Sequence, residues 1–192
     1  MILPLAALAA AAASGAPPPA GADAGLEELM RSLAQVRSRT ARFVERKHVA
    51  ILNAPLESSG TLIYSAPRRL EKHTVAPRAE SLVLDGDRLT LEDKGRDRKR
   101  TFALPEHPEI QAFVEGVRST LAGDLATLSR FYQVALDGNA RGWRLLLKPR
   151  EQRIQDFVSE IRISGTLDRI RTIEIVEAEG DRSVMTITGN GA

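Results

Sequence analysis

PLESSGTLIYSAPRRLEKHTVAPRAESLVLDGDRLTL, residues 55–91, reads as four short strands in quick succession, broken at Pro67, Pro77 and the Asp85-Gly86-Asp87 turn. An Asp-Gly pair between apolar-alternating runs marks a tight hairpin, because a primed turn needs a positive φ that glycine adopts without steric cost. No acid, base or nucleophile in this stretch is placed for chemistry. It reads as a curved antiparallel surface built to be presented.

Upstream, Leu26, Leu29, Met30, Leu33 and Val36 recur at helical spacing, with Glu27 and Glu28 early and Arg31 and Arg37 late, as the helix dipole favours. Strand patterns follow over 42–52, 60–65, 69–75, 81–84, 88–92 and 98–103. The pattern then changes. Pro105 and Pro108 open a helix whose Ile110, Phe113, Val114, Val117 and Leu121 share one face. Gly123 suits the position just past its end, and Asp124 caps a second short helix carrying Leu125, Leu128 and Phe131. Strands resume over 132–136, 143–148, 158–164, 169–177 and 182–188, with Ile161/Ile163 and Ile173/Ile175 alternating against polar neighbours. The expected fold is α+β. About eleven strands form a strongly curved antiparallel sheet, since so long a sheet curls rather than lying flat. It makes a half-open barrel around an N-terminal helix and a central helical lid.

Residues 1–13, MILPLAALAAAAA, are apolar and uncharged, though no Lys or Arg precedes the run. A span across a membrane needs about 20 such residues, so the run fits a secretory leader instead. Ala20-Gly21-Ala22 and Ala22-Asp23-Ala24 offer cleavage near Ala22 or Ala24. The expected organisation is therefore a signal segment over 1–24 and one domain over 25–192. The absence of cysteine excludes a lipid-modified N-terminal cysteine, disulfides and thiolate metal sites. With 27 basic against 25 acidic residues the net charge is +2, too small to drive binding to nucleic acid. The densest basic run, Lys94 to Arg100, reads as a solvated hairpin tip or a weak contact for phosphate or lipid headgroups.

Ser59-Gly60-x-Leu62-x-Tyr64-x-x-Pro67-x-x-Leu70, followed by a strand ending at Leu84-Asp85-Gly86, resembles the LolA-type periplasmic lipoprotein carriers. Ala41-Arg42-Phe43-Val44-Glu45 is similar to their first strand, with Glu45 where glutamine is usual, and the order of elements is similar from Leu26 to Ile187. The resemblance implies an apolar space for acyl chains under a helical lid. It also implies an arginine directly before the proline corner that latches the lid. Ala66 holds that position here, which leaves Arg68 and Arg69 as candidate latches. The chain stops at Gly191-Ala192, where the carriers continue into a C-terminal extension. Together these departures point to a reduced LolA-related paralogue.

His48, His73 and His107 form no metal-ligand spacing, and neither a Gly-x-Ser-x-Gly elbow nor a phosphate loop occurs. No catalytic residue, metal or cofactor is expected. Apolar lining remains. The candidate cavity residues are Leu62, Tyr64, Leu82, Leu84, Leu145, Leu147, Ile161 and Ile163, with Phe113, Val117 and Leu121 on the lid. From pattern alone the same residues could make a dry core. The leading expectation is a monomeric periplasmic carrier that shields the acyl chains of lipid or lipoprotein on the way to the outer membrane. Its partners would be an inner-membrane donor and an outer-membrane acceptor. The alternative is a lipid-sensing or interaction module on the same fold.

Overall fold

A computed structural model describes residues 20–189. Residues 1–19 of the expected signal segment, including its apolar run over 1–13, lie outside them, and the remainder, with its two expected cleavage sites, falls at the start of the first helix. Helix α1 (Ala20–Ala34) precedes six strands: β1 (Ser38–His48), β2 (Leu56–Ser65), β3 (Arg69–Ala76), β4 (Glu80–Asp85), β5 (Arg88–Asp93) and β6 (Arg98–Ala103). A 3-10 turn, Leu104–Glu106, leads into α2 (Pro108–Ala122) and α3 (Leu125–Phe131). Then come β7 (Tyr132–Asn139), β8 (Gly142–Pro149), α4 (Gln152–Gln155), β9 (Val158–Thr166), β10 (Arg169–Glu177) and β11 (Arg182–Thr188). The fold is α+β, and all eleven strands form one sheet in the order β6-β5-β4-β3-β2-β1-β11-β10-β9-β8-β7. Every neighbouring pair is antiparallel, and β6 and β7 stay unpaired at the two edges, so the curved sheet remains open.

Several sequence features account for this path. Gly86 takes the first position of the β4–β5 turn at φ +58°, and Asp85 pairs with Arg88 across it. At Gly60 a Cβ would lie 1.9 Å from the His73 carbonyl oxygen, so only glycine lets β2 and β3 close up at the Ser59/Gly60 bulge. Gly123 ends α2 in the left-handed region, and Asp124 accepts a hydrogen bond from the Thr127 amide at the start of α3.

Several strand ends differ from the sequence pattern, β2 starting at Leu56 and β7 ending at Asn139 among them, and β1 is displaced at both ends. β1 runs from Ser38 to His48 rather than from residue 42 to 52, because it pairs along its whole length with β2 and β11. A pairing partner outweighs local pattern at strand ends. The short α4 carries no periodic apolar stripe and was not expected; one residue, Ile154, anchors it in the core.

The core is divided. α1 and α3 cover the β7–β11 side, where Leu26, Met30, Leu33, Leu128 and Tyr132 pack with Leu145, Leu147, Ile161 and Ile163. A smaller cluster of Leu84, Leu89, Leu104 and Val114 joins β4 and β5 to α2.

Candidate ligand cavity

Between the two clusters lies a cavity of about 180 Å³. Its wall comes from β1–β4, β10 and β11, through Leu62, Tyr64, Leu70, Leu82, Leu84, Ile173 and Met185 among others. Its roof is α2, whose Phe113, Val117 and Leu121 face it at helical spacing. The roof is seated closely on the other side. A Cβ on Gly116 would lie 2.9 Å from Ile161 Cδ1, so glycine brings the helix down onto β9, and the Tyr132 hydroxyl donates to the Ala112 carbonyl at 2.9 Å. Ligand sites for drug-sized molecules occupy about 300–1,000 Å³, so this cavity in its closed form is small.

The residues singled out in the sequence separate into two groups. Leu62, Tyr64, Leu82 and Leu84 border the cavity, as do Phe113, Val117 and Leu121 of α2. Leu145, Leu147, Ile161 and Ile163 do not; each is 0% exposed in the core beneath α1 and α3. Alternation assigned all eight to one face, but the helices fill one half of that face and leave the other half partly void. Ile170, Ile175 and Ile187, which were not singled out, complete the wall from the β10–β11 side.

The candidate latches Arg68 and Arg69 lie outside this arrangement. Arg68 pairs with Asp87, and Arg69 with Glu71 and Asp85. The tie between helix and sheet runs the other way. Arg118, on α2, donates to the Gly86 carbonyl in the β4–β5 turn and to the carboxylate of Glu115 one turn earlier. Ser119 Oγ also donates to Glu115, at 2.8 Å. The Arg118 and Glu115 side chains are 7% and 5% exposed, so this is a buried ion pair whose charges are met by hydrogen bonds. Sequence reasoning missed it. The only signal was the Glu115/Arg118 spacing, which on a surface helix would be an ordinary exposed pair.

One border of the cavity is ionic. Glu45 lies in its wall, paired with Lys72 and accepting hydrogen bonds from Ser58 and Ser183. Burial alone would raise this carboxyl, but the Lys72 charge and the hydrogen bonds from Lys72, Ser183 and Ser58 more than reverse that and hold it below the usual carboxylate range. The Lys72 ammonium also sits over the Phe43 ring, 5.1 Å from its centroid. Tyr64 is 3% exposed, and its hydroxyl has no partner among the described residues. Burial pushes its phenol up, against a smaller opposing effect of Arg37. A buried hydroxyl left without any partner costs about 1–3 kcal/mol.

Beyond Lys72 and Leu82 the cavity adjoins a second recess of about 420 Å³, bordered by Thr74, Glu80, Asp93, Arg98 and Arg100. Among the described residues no group of three or more His, Cys, Asp or Glu side chains could hold a metal ion. No helix among them is long and apolar enough to cross a membrane.

The chain is similar to known proteins over nearly its whole length. An outer-membrane lipoprotein carrier protein of Pseudomonas entomophila (strain L48) is 23% identical over 186 residues, which covers 95% of this chain and 84% of that protein. Among solved structures, MucB aligns with a TM-score of 0.50 at 17% identity, covering 92% of this chain and 60% of its own. A LolA superfamily protein from Nitrosomonas europaea aligns with a TM-score of 0.45 at 10% identity, covering 88% and 92% of the two chains. The family model described as "Outer membrane lipoprotein carrier protein LolA-like" matches residues 16–192, and the chain belongs to that family.

Proposed function

We propose that this protein is a periplasmic carrier that shields lipid acyl chains in the cavity beneath α2 during transfer toward the outer membrane. In this reading residues 25–192 act as one unit after export. An inner-membrane protein loads it and an outer-membrane protein unloads it, with no bond made or broken in the cargo. The observation that carries the proposal is an apolar cavity closed by a helix that Arg118 ties to the β4–β5 turn.

Magnitudes constrain how such a carrier works. Burying an acyl chain is worth about 0.8 kcal/mol per methylene, so a chain of about 16 carbons is worth on the order of 12 kcal/mol before costs. A site that covered several chains completely would not release them. The closed cavity is far smaller than such a cargo. Loading therefore lifts Phe113, Val117 and Leu121 away from the wall, and the energy of reclosing is returned when the cargo leaves. The Arg118 contact with Gly86 is the polar tie that must break, while the Gly116 seam acts as the fixed side.

The purified protein should bind an environment-sensitive fluorescent fatty acid and release it to competing lysolipid, without hydrolysing lipid esters. Phe113→Ala should lower the stability of the empty protein by about 2 kcal/mol, less than the ~3 kcal/mol or more of a fully packed site because Phe113 is only partly buried beside the cavity. Its affinity for the probe should stay level or rise, because less closure has to be undone. Absence of probe binding, with an interior that stays closed, would overturn the proposal. A loss of binding in Phe113→Ala that matches the loss of stability would make α2 an ordinary wall.

A further inference from the structure

The inward side of β2–β6 is graded along the strand direction in three aligned rows. The first, Tyr64, Leu70, Leu84, Leu89 and Phe102, is apolar, and Leu84 and Leu89 pack beneath α2. Two residues further along, the second row reads Leu62, Lys72, Leu82, Leu91 and Arg100. Two further still, the third reads Gly60, Thr74, Glu80, Asp93 and Arg98. At about 3.3 Å per residue, the step from apolar to ionic takes roughly 13 Å. The apolar cavity and the polar recess share Lys72 and Leu82 in their walls, so the two lie side by side along this gradient.

The charges in the recess are unequally engaged. Lys72 is taken by Glu45, whereas the exposed Arg98 and Arg100 have no ion-pair partner among the described residues. Arginine on an edge strand commonly serves only to discourage strand-to-strand association. Here, however, both guanidinium groups border a concavity that adjoins the apolar cavity under α2, and Glu80 and Asp93 border it too. Guanidinium forks match phosphate oxygens. Of the three carboxylates at its border, Asp93 accepts from the Gly95 and Arg96 amides and Glu92 from Ser81 Oγ, while Glu80 has no side-chain partner among the described residues. Together they disfavour a headgroup that is only anionic and suit one that carries an amine as well.

We infer that the recess formed by Arg98, Arg100, Glu80 and Asp93 receives the phosphate-and-amine headgroup of a zwitterionic phospholipid whose acyl chain lies under α2. This rests on the carrier reading and adds a cargo class to it. Two of the sequence's densest basic positions are thereby given a ligand.

Calorimetric titration with lysophosphatidylethanolamine, lysophosphatidylglycerol and a monoacylglycerol of the same chain length separates the possibilities. Lysophosphatidylethanolamine should bind about tenfold more tightly than the monoacylglycerol, the scale of one retained charge-assisted hydrogen bond, and its advantage should shrink as salt rises. Lysophosphatidylglycerol should fall between them, and inorganic phosphate alone should not compete with any. In Arg98→Gln/Arg100→Gln the advantage should vanish while monoacylglycerol affinity is unchanged. Equal binding of the three lipids, or an advantage that survives the double substitution, would overturn the headgroup assignment and leave the carrier reading intact. Lysophosphatidylglycerol binding as tightly as the ethanolamine lipid would overturn the zwitterionic class. Failure of all three lipids to bind would overturn the carrier reading and this inference with it.

Discussion

In β8 and β9 the inward residues Leu145, Leu147, Ile161 and Ile163 are wholly buried, whereas in β2, β4 and β5 the inward Leu62 and Leu82 border a void and Leu91 is 38% exposed. Both regions belong to one sheet and carry the same apolar alternation. The difference lies above them. Helices α1 and α3, with Tyr132, fill the space over the first region. Over the second only α2 crosses, and it covers the row nearest the β4–β5 turn. A cavity is produced here by leaving an apolar strand face partly uncovered, not by any special residue in that face.

The largest expected effect is at the tie that holds α2 over the open half. Arg118→Met leaves Glu115 buried without its partner and should cost about 3–5 kcal/mol in denaturant unfolding. The double change Glu115→Leu/Arg118→Met removes both charges and should recover most of that loss. A single substitution with no measurable cost would mean that the pair does not hold the roof, and the contrast between the halves would then need another cause.

A more direct comparison uses equal truncations on the two sides. Leu145→Ala should cost about 3 kcal/mol in the filled half, while Leu62→Ala, already beside a void, should cost about 1 kcal/mol. Equal losses would erase the distinction between core and cavity wall.

Acidity probes the border between the cavity and the polar recess. The Glu45 carboxyl is held below its ordinary range in the folded protein, so its contribution is present above the unfolded-state value and is lost as pH falls through the folded one. Asp168, whose carboxyl burial would raise but Arg39 draws down, acts in the same direction. Urea midpoints should therefore drop on acidification below the usual carboxylate range. Glu45→Gln should lower the midpoint at neutral pH and flatten part of that drop. An unchanged acid slope in Glu45→Gln would show that Lys72 and the two serines do not stabilise the ionised form.

Much of the architecture could be read without coordinates because it rests on local rules. The Asp85-Gly86 turn, Gly123 after α2 and the Asp124 cap follow from backbone sterics and capping chemistry, and each is found where the pattern put it. The β10 and β11 spans also match their alternation. The start of β1 was not legible, because it is set by pairing with residues distant in the chain. Neither was α4, which is too short to show a period. Arg68 and Arg69 drew attention as latches because they stand near the proline corner, yet their carboxylate partners are Asp87, Glu71 and Asp85.

Turn chemistry, alternation and short motifs are properties of neighbouring residues, so the sequence alone specifies the eleven strands, the three longer helices, the curved antiparallel sheet and the family. Only the tertiary structure decided which apolar residues line a cavity and which are core. Strand periodicity specifies the face on which a side chain lies, but not what stands opposite it. Leu82 and Leu145 obey the same alternation; the placement of α1, α2 and α3 makes one a cavity wall and the other part of the packed interior.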